Sequence, residues 1–266
     1  MGVIGVGNMG AALVRGIIDQ GTVRARSVTV CDLDRDLAGR ICEDLGVVDG
    51  KEARQVAGSA DLVILAAKPQ NLPSLLREIS PSINVNQTVM SIAAGVTTQS
   101  IEEGLGGHPS VIRVMPNLPA LVGEGISVFC GGSYAKESDF ERVKAVLNAV
   151  GICLEAPEEM MDPVTALSGT GPAYVFHTME AMIQSGIEMG MSSEMAERLV
   201  LHTVFGAAKL AMESDLDPTS LRKAVTSRGG TTDAAITHLE EHGYNRMVVE
   251  AILAAMSRSE ELGRGR

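Results

Sequence analysis

The segment Gly5-Val6-Gly7-Asn8-Met9-Gly10 narrows the fold more than any other, because it is a G-x-G-x-x-G turn set between the apolar Val3-Ile4 and a run carrying Ala11, Ala12, Leu13, Val14, Ile17 and Ile18. Strand, glycine turn and helix in that order open a dinucleotide-binding unit. Gly5 permits the tight turn, Gly7 lets a pyrophosphate approach the backbone, and Gly10 lets helix and strand pack closely. The amides of Asn8, Met9 and Gly10 at the helix N-terminus face the phosphate charge. Asp32 lies 22 residues after Gly10, where a carboxylate would accept hydrogen bonds from the adenosine ribose. An acid there repels a 2′-phosphate, but Arg35 and Arg40 follow closely and would offset it if either turned inward. Both NADH and NADPH therefore stand as cofactors. A second reading also stands, in which Asp32 and Asp34 only cap a helix beginning near Leu33.

Seven short apolar runs follow one another up to Ala156: Val3-Ile4, Val28-Val30, Leu62-Ala66, Val89-Ile92, Val111-Val114, Ile126-Phe129 and Ile152-Leu154. Helical stretches separate them, which predicts an α/β domain with a mostly parallel sheet. After Met160 strand signals vanish, and helix starts are marked by Pro172, Ser192-Ser193, Asp217-Pro218 and Asn245. The chain thus divides into a Rossmann-like, doubly wound dinucleotide-binding domain (residues 1–157) and an all-helical domain (residues 158–266). Within the latter, Ala173-Met189 and Glu194-Met212 are apolar on nearly every side. A helix without a polar face needs cover all round, and about 110 helical residues do not easily cover two of them. A partner subunit is the expected cover, the alternative being a monomeric bundle with both helices central.

The formal net charge of −11, without any Lys/Arg cluster, argues against nucleic acid as a partner and favours a small molecule. Cys31, Cys42, Cys130 and Cys153 are scattered, so no metal site or disulfide framework is expected. No charged n-region precedes the first apolar residues and no apolar run approaches a membrane span, so a cytoplasmic location without membrane attachment is the expectation.

Several further segments fall where strands of such a sheet should end: Ala67-Lys68-Pro69, Ser91-Ile92-Ala93-Ala94-Gly95 and Arg113-Val114-Met115-Pro116-Asn117. The second half adds Ala166-Leu167-Ser168-Gly169-Thr170-Gly171-Pro172-Ala173-Tyr174 and Ser227-Arg228-Gly229-Gly230-Thr231-Thr232. In this order and spacing, from about residue 2 to 262, the chain resembles the pyrroline-5-carboxylate reductases. The resemblance implies hydride transfer from a nicotinamide to the ring carbon of a cyclic imine, giving L-proline in the last step of its synthesis. It implies cofactor contacts at Ala67, Lys68, Pro69, Ala94, Gly95 and Asn117, besides the glycine loop. It also implies a homodimer interlocked through the helical domain, often assembled further into a ring of dimers, a decamer. One position departs from the family pattern: Arg228 stands where Pro is usual, adding a positive charge and flexibility beside an anionic substrate.

If the imine enters as its iminium, the proton is already on nitrogen and the protein needs mainly proximity, orientation and a carboxylate clamp. Gly229, Gly230, Thr231 and Thr232, expected just before a helix starting near Asp233, suit an anion nest, with Ser168 as a further substrate contact. Thr232 is the candidate catalytic residue, its hydroxyl hydrogen-bonded to the ring nitrogen; the competing reading makes Thr231 or Thr232 only an N-cap. Tyr174 could reach a site, Lys68 a phosphate and Arg113 a ligand, but each also has a structural reading, as core tyrosine, exposed loop lysine and buried cation. His177, His202 and His238 show no partner acid at obvious spacing. A β-hydroxyacid dehydrogenase, the rival enzyme, would carry a lysine between Pro172 and Gly190, and none is there. A dinucleotide-sensing regulator would keep the Gly5–Gly10 loop without needing the clamp.

Overall fold

The computed structural model describes residues 1–106 and 109–264. It separates into two compact units, Met1–Thr170 together with the chain from Ala255 onward, and Gly171–Ala254. The first unit is built on eight strands, β1 Gly2–Ile4, β2 Thr29–Cys31, β3 Val48–Asp49, β4 Leu62–Leu65, β5 Thr88–Ser91, β6 Ser110–Met115, β7 Gly125–Gly131 and β8 Gly151–Glu155. They form one sheet in the order β3-β2-β1-β4-β5-β6-β7-β8. Every pair is parallel except β6 with β7. Only the short turn Leu118–Val122 lies between those two strands, too little chain for a crossover helix, so β7 must return antiparallel.

Six helices complete this α/β layer: α1 Asn8–Asp19, α2 Arg35–Leu45, α3 Ala53–Gly58, α4 Leu72–Ile79, α5 Thr98–Leu105 and α6 Glu137–Leu147. Two apolar clusters cover the two sheet faces. One joins Val3, Leu13, Ile17 and Val30 to Ile112, Phe129 and Leu147, and the other joins Ile4 and Leu65 to Leu72, Ile79 and Ile101. All seven strands expected from apolar runs are present. The eighth, β3, is two exposed residues at the sheet edge, too short and too polar to leave a periodic signal.

After β8 come α7 Met161–Val164 and a π-turn Thr165–Gly169, then α8 Gly171–Glu188, α9 Ser193–Glu213, α10 Pro218–Ala224, α11 Thr231–Glu241 and α12 Tyr244–Arg264. Ser192 caps α9 by accepting from the Met195 amide, and Asp217 caps α10 by accepting from Thr219 and Ser220, as expected at those positions. Two starts differ from expectation. α12 begins at Tyr244, ahead of Asn245, and α11 begins at Thr231, two residues before Asp233. In the second unit only Gly186, Ala196 and Val200 are buried. None of the described helices is long and apolar enough to cross a membrane.

Candidate active site

Because β1, β2, β4, β5 and β6 are parallel neighbours, their carboxyl ends line one edge of the sheet, and the order reverses between β1 and β4. Ligands of doubly wound folds bind at such a switch point. Gly5 leaves β1 at φ +98°, and a Cβ there would stand 2.7 Å from the Ala66 carbonyl oxygen. A Cβ on Gly10 would run into the Gly5 carbonyl oxygen, so this glycine holds α1 against the strand end. Gly7 is different: a Cβ there would meet nothing within 4 Å. It is the N-cap of α1 and offers no capping side chain, so the helix start is left uncapped, a setting that favours an anion.

Asp32 follows β2 and is tied to the glycine loop. Its Oδ2 accepts from the Val6 amide at 2.7 Å and its Oδ1 from the Asp34 amide at 2.9 Å. The helix-capping role falls to Asp34 alone, which accepts from Asp36 and Leu37, and α2 begins at Arg35 rather than near Leu33. Arg35 is turned onto Asp49, with Nη2 2.6 and 2.7 Å from its oxygens and Nη1 3.3 Å from the Lys51 carbonyl. That hydrogen bond raises the guanidinium pKa and holds the Asp49 carboxyl below the usual range. Arg40 is exposed.

Past the other strand ends, Ala67 and exposed Lys68 lead into the turn Pro69–Asn71, and Ala94 precedes a buried Gly95 at φ +71°. Asn117 uses its Oδ1 to accept from the Ile126 amide at 2.9 Å, pinning the start of β7. Ser168 sits in the π-turn, a geometry that recurs at functional sites, and its buried Oγ has no hydrogen-bond partner among the described residues. Its neighbour Gly169 packs so closely on Met115 that a Cβ would collide with the Met115 Cε. Thus the serine-glycine segment and the end of β6 meet.

In the second unit Gly230 is the N-cap of α11, so neither Thr231 nor Thr232 is a capping residue; they form the first turn. Gly229, at φ +72°, donates to Asp233 Oδ2 at 2.8 Å, and the Gly230 amide donates to the Ser227 carbonyl at 2.9 Å. The amides of Thr231 and Thr232 remain at the uncapped start of the helix, with Thr232 half-buried. Arg228 is exposed. Among the histidines, His177 does have an acid one turn away, with Nδ1 3.3 Å from Glu180 Oε2, while His238 stacks on His242 at 4.2 Å between ring centroids. Both pairs lie on exposed helix surface.

Residues 158–262 match the family model described as pyrroline-5-carboxylate reductase dimerisation, and residues 1–95 match one described as NADP oxidoreductase, coenzyme F420-dependent. The pyrroline-5-carboxylate reductase of Pseudomonas aeruginosa is 38% identical over 260 residues, covering 97% of this chain and 95% of that protein. The chain belongs to the pyrroline-5-carboxylate reductase family. The Methanosarcina acetivorans reductase is also 38% identical, over 99% of this chain and 98% of its own. Among solved structures, Plasmodium falciparum pyrroline carboxylate reductase with NADP bound aligns at TM-score 0.90 and 30% identity, covering 98% and 97% of the two chains. A Coxiella burnetii pyrroline-5-carboxylate reductase aligns at TM-score 0.90 and 34% identity, covering 99% and 98%.

For this member of the family, sequence reasoning missed the partners of Arg113. Arg113 is buried in β6, and its Nη1 lies 3.3 Å from Glu158 and its Nη2 3.7 Å from Asp162. The signal was present: an arginine inside the apolar run Val111-Ile112-Arg113-Val114 demands carboxylates, since a buried charge without partners is costly. It also placed Asp233 only near a helix start, without its hydrogen bond from the Gly229 amide.

Proposed function

We propose that the protein is a pyrroline-5-carboxylate reductase, reducing the cyclic imine 1-pyrroline-5-carboxylate to L-proline with NADH or NADPH. The observation that carries this reading is the likeness to relatives of that name over 97–99% of the chain. In this reading residues 1–157 bind the dinucleotide and residues 158–266 bind substrate and form the dimer. Gly5, Gly7, Asn8, Met9 and Gly10 hold the pyrophosphate, and Asp32 faces the adenosine ribose. Ala67, Lys68, Pro69, Ala94, Gly95 and Asn117 complete the cofactor site along the sheet edge. The open space at Gly7 and the uncapped first turn of α1 fit such a group.

When bound, the reduced nicotinamide supplies the hydride, and the protein supplies position. The substrate carboxylate goes to the amides and hydroxyls of Thr231 and Thr232, with Gly229 and Gly230 shaping the turn, since the amides of those two glycines are already engaged. An uncapped helix start favours an anion there. The Thr232 hydroxyl oxygen accepts a hydrogen bond from the ring nitrogen, which enters protonated, and so orients the imine carbon for attack. Ser168, whose Oγ is unpartnered among the described residues, is a second polar contact for substrate. The functional form is a cytoplasmic homodimer through the C-terminal helices, able to close into a ring of dimers.

Oxidation of NADH and of NADPH, followed by loss of absorbance with and without the five-membered imine, tests this directly. Imine-dependent turnover with stoichiometric proline is expected. Cofactor binding without turnover would leave a dinucleotide-sensing protein instead.

A further inference from the structure

The loop of residues 92–97, between β5 and α5, is held from two sides by residues far away in sequence. At its glycine, the end of α12 comes within van der Waals reach: a Cβ on Gly95 would lie 3.5 Å from the Gly263 nitrogen and 3.6 Å from the Ser259 carbonyl oxygen. The approach is mutual, for a Cβ on Gly263 would stand 3.2 Å from the Gly95 carbonyl oxygen. At the far end of the loop, Glu158 accepts from the Thr98 amide at 2.8 Å and from its hydroxyl at 2.6 Å.

Arg113 joins the two holds. One side of its guanidinium meets Glu158, and the other meets Asp162, which in turn accepts from the Ser259 hydroxyl at 2.7 Å. Ser259 is only 5% exposed. Packing alone would favour an apolar residue at such a position, so the hydroxyl is there for Asp162. A glycine in the left-handed region resists no displacement by itself, and the loop takes its rigidity from these outside contacts.

We infer that the end of α12 is a brace for the 92–97 loop, and that Ser259 is a positioning residue that tunes cofactor affinity through Asp162, Arg113 and the contact of Gly263 with Gly95. This rests on the reading of Ala94 and Gly95 as cofactor contacts. The brace touches no reacting atom, so its loss weakens binding of the dinucleotide and leaves the hydride step intact once the site is saturated.

The test titrates NADH and NADPH into the full-length protein by their nicotinamide fluorescence, beside steady-state kinetics and thermal unfolding. Ser259→Ala should weaken cofactor binding about three- to tenfold, the worth of one hydrogen bond. Gly263→Val should weaken it similarly, and Ser259→Thr, which keeps the hydroxyl, should restore it. The KM for the imine and kcat at saturating cofactor should stay within about twofold of wild type. Gly7→Val is the control for the cofactor reading, because its side chain enters open space and disturbs only a bound pyrophosphate. Unchanged cofactor affinity in Ser259→Ala and Gly263→Val, with affinity lost in Gly7→Val, would overturn the brace and leave the cofactor site standing. Unchanged affinity in all three would overturn both. A parallel rise in both KM values with a lowered Tm would reduce Ser259 to a packing residue and also overturn the proposal.

Discussion

The two units spend similar apolar sequences in opposite ways. In the first, the strand and helix residues point inward, and Leu13, Ile17, Ile64, Leu72 and Phe129 are all fully buried. In the second, Phe205 is 67% exposed and Met212 83%, and Leu199, Leu201 and Leu210 are each near half. Burial of apolar surface stabilises by about 25 cal/mol per Å², so a unit with three buried residues cannot stand on its own packing. The lesson is that secondary structure and a core are separate achievements. Ser192 and Asp217 start helices by local hydrogen bonds, but those helices still need a surface to cover them. The match of this region to a dimerisation family supplies the kind of partner.

The sharpest way to break this contrast is to place a charge on the exposed apolar face. Leu201→Glu is expected to cost about 3 kcal/mol or more per subunit by stranding a carboxylate in an apolar interface, giving insoluble or unfolded protein. If wild type sediments as a folded monomer at micromolar concentration, the contrast is lost and the apolar face is ordinary surface.

Next in size is a change inside the first unit, where the penalty is steric and needs no partner. Gly5→Ala adds strain at φ +98° and a clash with the Ala66 carbonyl, for about 2–4 kcal/mol of stability. Thermal unfolding should show that loss at any protein concentration. An unshifted Tm would mean that the strand-to-helix turn relaxes more easily than its geometry indicates.

Thr232→Val acts on the second unit more narrowly, because it removes a hydroxyl with little change in volume. About 1–3 kcal/mol of transition-state binding should disappear, roughly five- to a hundredfold in kcat/KM for the imine, with cofactor affinity unchanged. Stability should hold, since the cap of α11 is Gly230 and not a threonine. Wild-type kcat/KM at saturating cofactor would reject the role given to this hydroxyl.

The smallest effect is expected at Asp32. Repulsion between its carboxylate and a 2′-phosphate is worth about 1 kcal/mol near the surface, so Asp32→Ser should move the ratio of kcat/KM values towards NADPH by roughly fivefold. Because Asp32 also accepts from the Val6 amide, both cofactors should bind somewhat less well in the variant. An unmoved ratio would confine Asp32 to bracing the glycine loop.

What the sequence determined by itself is whatever depends on neighbours along the chain. The turn from Gly5 to Gly10 carries three glycines at fixed spacing. The caps at Ser192 and Asp217 need one oxygen two or three residues ahead of its amides, and the seven apolar runs announce their strands by composition. The likeness of the A-K-P, M-P-N and G-G-T-T segments to one family was legible for the same reason. It takes the folded arrangement to show that Asp32 braces Val6 while Asp34 caps α2, that Arg35 is spent on Asp49, and that two residues at Val48–Asp49 pair as an edge strand. It alone drew Ser259 to Asp162, 97 positions away, and closed the charges around Arg113. Such contacts have no period and no local spacing, because they arise only when packing brings distant segments together and buried charges must find partners there.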